Sequence, residues 1–183
     1  LKQIVATLTP GVVYTVDGAR YGKALAALTA ARLLDGVVVV TSIGAPPGVE
    51  ATSFSALSST KPTQTFADHR TAIGPDTIAK VLFTSGSTGA PKGVINTQRM
   101  LCSNQQALTQ LWPFLEEKPP VILDWLPWSH TFGGNHNLNL ILSHGGTLYI
   151  DEGRPAPGLI DRTVANLREV SPTLMFNVPR GYD

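Results

Sequence analysis

The amino-acid sequence predicts an α/β fold in which a mainly parallel sheet is flanked by helices. Short runs of β-branched and apolar residues alternate along the chain with longer segments of helical periodicity. The helical segments reach about ten residues or more, which is the length that crossover connections between parallel strands require. Ligands bind beyond the carboxyl ends of strands in such folds, so the residues that follow each strand are the first candidates for a site.

The predicted strands share a high content of Val, Ile, Leu and Thr and are bounded by turn-forming residues. They are Val12–Thr15, Val37–Ser42, Ile78–Thr84, Val121–Trp125, Thr147–Ile150 and Thr173–Val178.

The predicted helices show apolar residues at helical spacing. They are Tyr21–Leu34, Gln98–Trp112 and Leu159–Val170. The stretch Gly44–Pro75 is rich in Ser, Thr, Pro and Gly and predicts loops with one short helix around Phe54–Ser58.

Composition and charge exclude several classes of protein. The 183 residues are 43% hydrophobic and 15% charged, which is typical of a globular chain with an ordinary core. A formal net charge of +1 gives no basis for a nucleic-acid surface or an anionic membrane partner. No apolar run approaches the roughly 20 residues of a membrane-spanning helix. The single cysteine, Cys102, fits the reducing cytoplasm, and we expect it to be buried on the apolar side of its helix.

The segment after the third predicted strand carries the candidate phosphate site. Its glycines, at positions 86, 89 and 93, allow φ > 0 and a close approach of backbone N–H groups to an anion. Lys92 adds a mobile positive charge, and Pro91 is expected to stiffen the turn that aims it. The residues predicted to contact phosphate are Thr84, Ser85, Gly86, Ser87, Thr88, Gly89 and Lys92.

This segment differs from the common phosphate-binding loops. In the P-loop of nucleotidases a glycine precedes the lysine and a Ser or Thr follows it, whereas here Pro91 and Gly93 flank Lys92. A flexible Gly/Ser connection between two strands is the plainer alternative.

Two segments resemble the adenylate-forming, or AMP-binding, superfamily, which contains acyl-CoA synthetases, luciferases and peptide-synthetase adenylation domains. Phe83–Gly93 resembles the signature loop of that superfamily, and Leu126–Gly134 resembles its Pro-x-x-His-x-x-Gly segment beside the carboxylate substrate. Lys92–Leu101 and Phe176–Asp183 are similar to the corresponding parts of bacterial feruloyl-CoA synthetases.

The resemblance implies a fold and an activity. Residues 1–183 would be part of the large N-terminal domain of an adenylate-forming enzyme, cut at both ends, without the C-terminal domain and inactive by itself. The parent enzyme would use ATP and Mg²⁺ to convert an aromatic carboxylate such as ferulate, in phenylpropanoid breakdown, to acyl-AMP and pyrophosphate. CoA would then displace AMP.

The resemblance also implies roles for residues. Lys92 and His130 would be catalytic, and the carboxylate would be bound by Trp128, His130, Phe132 and Gly133. From the residues alone, His130 could equally cap the helix that follows. His136 and His144 lack the spacing of a metal pair and are interpreted as structural.

Other functions remain open at this point. The same superfamily contains fatty-acyl-CoA synthetases. A serine hydrolase is a second possibility, because Ser85–Gly89 nearly matches the Gly-x-Ser-x-Gly elbow around Ser87, with Asp124 and His130 downstream. A nucleotide-binding remnant without activity is a third.

Overall fold

The structure is a computed structural model that describes residues 1–85 and 89–181, with only the backbone described at positions 85 and 180. The chain forms two compact units. The first comprises Leu1–Ile73 and Phe83–Lys92, and the second comprises Gly74–Leu82 and Gly93–Asp183. Each contains helices and a parallel strand pair, which confirms the predicted α/β class.

The first unit is built from short elements. They are α1 (Lys2–Leu8), β1 (Val12–Asp17), α2 (Gly22–Ala30), β2 (Val38–Ile43), β3 (Thr52–Ser53), α3 (Phe54–Ser58) and α4 (Gln64–Thr71). Strands β1, β2 and β3 pair in that order, all in parallel. The buried interior includes Val39 and Val40 of β2 together with Leu25 and Leu28 of α2.

Two helices of the first unit differ from the prediction. Helix α2 ends at Ala30 rather than Leu34, because Arg32 takes a left-handed φ of 57° that an α-helix does not accommodate. Helix α4 lies where the sequence predicts loops, since few of its residues are apolar and they form no helical stripe. The Thr63 hydroxyl begins α4 by accepting a hydrogen bond from the N–H of Phe66. The short helix α3, by contrast, has the predicted bounds.

A pair of strands carries the candidate phosphate segment. Strand β4 (Ile78–Ser85) hydrogen-bonds to β5 (Pro91–Thr97). Strand β4 agrees with the prediction, whereas β5 replaces a turn that its proline and glycine predict. Proline is compatible with the first residue of a strand, where Pro91 lies.

The second unit continues from β5 through elements that surround one parallel pair. They are α5 (Gln98–Leu111), α6 (Phe114–Glu117), β6 (Val121–Asp124), a π-helical segment (Thr131–Asn137), α7 (Leu138–His144), β7 (Thr147–Ile150), α8 (Ile160–Val170) and a 3₁₀ turn (Pro179–Gly181). Within residues 1–85 and 89–181, no helix is both long enough and apolar enough to cross a membrane.

The core of the second unit lies between its helices. Leu108 of α5, Leu115 of α6 and Leu140 of α7 are buried together, and Trp112 and Phe176 pack against them. Strands β6 and β7 pair in parallel along their whole length, so both end at one edge of the pair.

Cys102 of α5 is exposed, contrary to the prediction that it is buried. Helix α5 has the predicted start and buries Gln105 and Leu108, three and six residues after the cysteine. Cys102 therefore lies at the edge of the inward-facing stripe, about 60° around the helix from Gln105 and about 120° from Leu108.

The predicted strand Thr173–Val178 is wrong. Only Leu174 forms a bridge, to Ile122. The reason lies in a contact with a residue 52 positions earlier, because the Thr173 hydroxyl accepts a hydrogen bond from the N–H of Val121 at 2.9 Å and so takes the place of a backbone partner.

Helix α5 begins at a side-chain cap that can be tested. The Thr97 hydroxyl accepts a hydrogen bond from the N–H of Met100 at 3.4 Å. We expect Thr97→Ala to lower the free energy of unfolding by about 1 kcal/mol, while Thr97→Ser retains the cap. Urea denaturation of the two variants measures the difference, and equal losses would contradict the capping role.

Candidate functional site

The phosphate segment places its described side chains in the open. Thr84 and Lys92 are exposed, and Gly89 has a φ of 81° with open space where a side chain would stand. Lys92 forms no ion pair with any described residue. The predicted contacts of the Ser85 side chain and of residues Gly86, Ser87 and Thr88 lie outside the described residues. The described part thus offers a hydroxyl, an unhindered backbone and an available cation.

Two details of this segment correct the prediction. Gly93 does not take a positive φ, because it lies in the extended strand β5. Pro91 and Lys92 are likewise strand residues and not part of a turn. The lysine is therefore carried by a hydrogen-bonded strand, which fixes its Cα more firmly than a loop would.

The segment around His130 follows the carboxyl end of β6. The Asp124 carboxylate accepts a hydrogen bond from the N–H of Leu126 at 3.1 Å and so turns the chain out of the strand. The N–H of His130 then donates to the carbonyl of Pro127 at 3.0 Å, and the His130 carbonyl accepts from the N–H of Gly134 at 2.8 Å. These bonds lead directly into the π-helical segment, a type of helix that is rare and often occurs at functional sites.

His130 caps that helix. Its Nδ1 accepts a hydrogen bond from the N–H of Phe132 at 3.3 Å. An accepting Nδ1 carries no proton, so the proton of the neutral ring lies on Nε2. The ring is exposed. His130 therefore presents an Nε2–H donor, which suits a carboxylate oxygen and is the opposite of the donating Nδ1–H that a Ser-His-Asp triad needs.

The other residues predicted around the carboxylate occupy different environments. Trp128 is 46% exposed, Phe132 is half-buried and Gly133 is buried. A side chain at Gly133 would meet the carbonyl oxygens of Pro127 at 2.6 Å and Leu126 at 2.8 Å. Only glycine fits this close approach, so Gly133 shapes the turn.

A cavity of about 320 Å³ lies next to this turn in the second unit. Thr131 and Phe132, the two residues after His130, form part of its wall. The remaining lining residues come from β5, α5 and the π-helical segment: Asn96, Met100, Leu101, Asn104, Asn135 and His136. The wall combines aromatic and apolar surface with several amides.

One wall of the cavity contains a fixed chain of amides. Asn96 is buried and donates from Nδ2 to the carbonyl of Val94 at 2.9 Å. Its Oδ1 accepts from Asn135 Nδ2 at 2.8 Å. The Asn135 Oδ1 is buried without a partner among the described residues.

A second series of side-chain contacts orients the His136 ring. Its Nδ1 lies 2.8 Å from Asn137 Oδ1, and Asn137 is almost fully buried. The ring also makes edge contacts with Phe132 and Phe176, at centroid distances of 5.4 and 4.8 Å. Burial raises the pKa of the Asp124 carboxyl, and the hydrogen bond that this group accepts from the Leu126 N–H opposes that rise.

The raised pKa of Asp124 predicts a pH dependence of stability. Protonation of this carboxyl favours the folded state, so its contribution to stability is fully present below the ordinary aspartate pKa and is lost as pH rises through the raised value. We expect Asp124→Asn to have a smaller fall in urea midpoint than the unmodified protein as pH rises from about 4, near the ordinary aspartate pKa, toward neutral pH. Identical slopes for the two proteins would contradict this prediction.

Lys80 of β4 also contacts the turn. Its Nζ donates to the carbonyl of Gly134 at 3.2 Å, and burial lowers the pKa of this lysine. Lys80 therefore ties β4 to the segment that follows His130.

Sequence reasoning did not identify Lys80, Asn96 or Asn135, and it interpreted His136 as structural. The only signal for this group was the run Asn135-His136-Asn137 shortly after the Pro-x-x-His-x-x-Gly segment. In the described part of the chain, no three His, Cys, Asp or Glu side chains gather as metal ligands would.

Comparison with known proteins matches the whole chain to one family model, "AMP-binding enzyme", over residues 1–183. Over 62% of its own length, the chain is 33% identical to the carboxylic acid reductase of Mycobacterium marinum. The matched region is 9% of that reductase. The chain is 31% identical to a long-chain-fatty-acid–CoA ligase of Gallus gallus over 60% of its length, or 14% of that protein.

Among solved structures, ATP-bound MatB from Rhodopseudomonas palustris superposes on 99% of this chain with a TM-score of 0.65 and 24% identity. The chain covers 32% of that protein. The likeness confirms the fold as that of the N-terminal domain of adenylate-forming enzymes, and the chain spans about a third of this structure and less of the curated relatives.

Proposed function

Because this chain belongs to the AMP-binding enzyme family, we propose that the protein containing it is an ATP-dependent acid–CoA ligase that adenylates an aromatic carboxylate such as ferulate. In this proposal residues 1–183 form part of the N-terminal domain of a longer enzyme, and the activity belongs to the complete protein. The observation that carries the proposal is the presence in one chain of a strand-borne Lys92, unpaired among the described residues, and of His130 beside a cavity.

The proposed reaction has two steps. A carboxylate oxygen of the acid attacks the α-phosphorus of ATP, the bond from that phosphorus to the bridging oxygen breaks, and pyrophosphate leaves. The CoA thiol then attacks the acyl carbon and displaces AMP. Negative charge builds up on the departing pyrophosphate in the first step, and preorganised donors and cations around it lower the barrier.

The described residues supply parts of that machinery. Lys92 has its charge available for phosphate oxygens, and Thr84 adds an exposed hydroxyl in the same unit. His130 supplies an Nε2–H that can hold the acid carboxylate while Nδ1 remains in the cap. Magnesium and CoA are expected of the family and take no part in the roles given to these residues.

The size of the cavity favours an aromatic acid over a long fatty acid. Its volume of about 320 Å³ is at the low end of the ligand-pocket range of roughly 300–1,000 Å³. Phe132 and His136 present aromatic rings to it, and Met100 is an adaptable apolar neighbour. A ring with a short carboxylate arm suits these walls.

The test is exchange of labelled pyrophosphate into ATP by the complete protein. We expect exchange with ferulate and little exchange with acetate or long-chain fatty acids. Exchange with other acids alone would retain adenylation and reject the aromatic substrate, and no exchange with any acid would reject the proposed function.

A further inference from the structure

The two histidines beside the cavity present opposite hydrogen-bonding groups. His130 uses Nδ1 as an acceptor, which leaves a donor at Nε2. His136 uses Nδ1 on Asn137 Oδ1, and an amide oxygen can only accept. Nδ1 of His136 must therefore carry a proton, so Nε2 of the neutral ring is an acceptor.

The polarity of His136 is set by its contact with Asn137. Asn137 is almost fully buried, and its Oδ1 is the side-chain atom that lies 2.8 Å from His136 Nδ1. An amide oxygen only accepts, so the proton between the two atoms belongs to Nδ1.

The amide chain on the other wall also ends in an acceptor, because each of its amides donates toward the Val94 carbonyl. It starts at the Val94 carbonyl, an obligate acceptor, and passes through Asn96 to Asn135. The last atom is again an acceptor, Asn135 Oδ1, and it is buried with no partner in the described part of the chain. A buried carbonyl oxygen without a partner is unfavourable.

We propose that His136 accepts a hydrogen bond from the body of the substrate, and that the cavity therefore selects carboxylic acids that carry a hydroxyl or amino group over analogues in which that group is methylated or missing. His130 holds the carboxylate end with a donor, and His136 holds the far end with an acceptor. This inference rests on the proposed function and specifies the substrate class of the same site.

The fixed position of the His136 ring supports a selective role. Phe132 and Phe176 both make edge contacts with it, and the Nδ1 bond sets its rotation. In residues 1–85 and 89–181 its Nε2 has no hydrogen-bond partner, and the side chain lines the cavity. Because the His136 ring is already fixed, little conformational freedom is lost when its Nε2 accepts a hydrogen bond from a ligand.

The experiment compares matched acids in the complete protein. The two pairs are ferulate with its phenolic methyl ether, and p-hydroxybenzoate with p-methoxybenzoate. For each acid, kcat/KM is measured by pyrophosphate exchange, and binding is measured by calorimetric titration without ATP. We expect the unmodified protein to prefer the hydroxylated member of at least one pair by about tenfold, which is the effect of one hydrogen bond of about 1.4 kcal/mol.

Two variants assign that preference to His136. His136→Phe keeps an aromatic ring against Phe132 and Phe176 but removes the acceptor, so the preference should fall to about unity while activity on the methyl ether persists. His136→Gln retains a side-chain oxygen and should recover part of the preference. His69→Phe, the same exchange at an exposed position of α4, is the control and should leave the preference unchanged.

The outcomes separate this inference from the proposed function. Equal kcat/KM and equal binding for both members of both pairs in the unmodified protein would overturn the role of His136, and so would a preference that survives in His136→Phe. Absence of exchange with every acid would overturn the proposed ligase, and the titrations without ATP would then still decide whether His136 recognises a donor group.

Discussion

Replacing Lys92 by alanine is expected to lower the rate of adenylation by the complete protein about a hundredfold to a thousandfold. Removal of one preorganised donor to a developing negative charge has effects of this size in other enzymes. Lys92 is exposed on β5 and has no carboxylate partner among the described residues, so its charge is available to a phosphate. The measurement is kcat for pyrophosphate exchange at saturating ATP and acid.

Two further lysine variants define the origin of that loss. Lys92→Arg keeps the charge but changes the shape and reach of the donor, so we expect a smaller loss than in Lys92→Ala. Lys61→Ala removes an exposed lysine from the same unit outside the phosphate segment and should retain the unmodified rate. A rate for Lys92→Ala within about threefold of the unmodified protein would be far below the expected effect and would remove Lys92 from the mechanism.

Local patterns in the sequence were sufficient for many elements of the fold. Helix α5 begins at Gln98 as predicted, because its apolar spacing coincides with a cap at Thr97. Strand β6 begins at Val121 as predicted, because its continuous apolar run is typical of a buried strand. In both places local propensity agrees with the tertiary structure.

Two of the elements that sequence reasoning missed depend on partners outside their own segment. The residues of β5 include Pro91 and Gly93, which are typical of a turn, but pairing with β4 makes them extended. The segment at Thr173 has the composition of a strand, yet its side chain takes over a backbone hydrogen bond of Val121. Neither outcome follows from the composition of the segment itself.

The residues of the candidate site also fall into those that a local motif identifies and those that only the fold brings together. Lys92 and His130 could be identified because each lies in a short contiguous motif. Asn96 and Asn135 are 39 residues apart, and their hydrogen bond is created only by the fold. The importance of His136 depends on its contact with Asn137 and on the cavity, and a search for metal or triad spacing detects neither of these.

Replacing His130 separates two roles that one ring performs. The Nδ1 cap stabilises the π-helical segment, and the Nε2–H is proposed to bind the acid carboxylate. His130→Ala removes both functions. His130→Asn removes the ring but keeps a good capping side chain, whose oxygen can accept the hydrogen bond from the Phe132 N–H.

We expect the two variants to differ in stability and to agree in activity. His130→Ala should lose about 0.5–2 kcal/mol of unfolding free energy, whereas His130→Asn should stay close to the unmodified protein. Both should lose kcat/KM for the acid by about tenfold to a hundredfold, since a hydrogen bond to a charged group contributes about 1.5–3 kcal/mol. Most of the loss should appear as a higher KM for the acid, with KM for ATP unchanged.

The contrast between the variants decides which role of His130 matters for function. If His130→Asn retained full kcat/KM while His130→Ala lost it, the histidine would act only as a helix cap. If both lost kcat/KM for the acid while only His130→Ala lost stability, the defect could not come from unfolding of the turn. The exposed Nε2 would then be the group that holds the carboxylate, because it is the one part of the ring that the cap leaves available and that both substitutions remove.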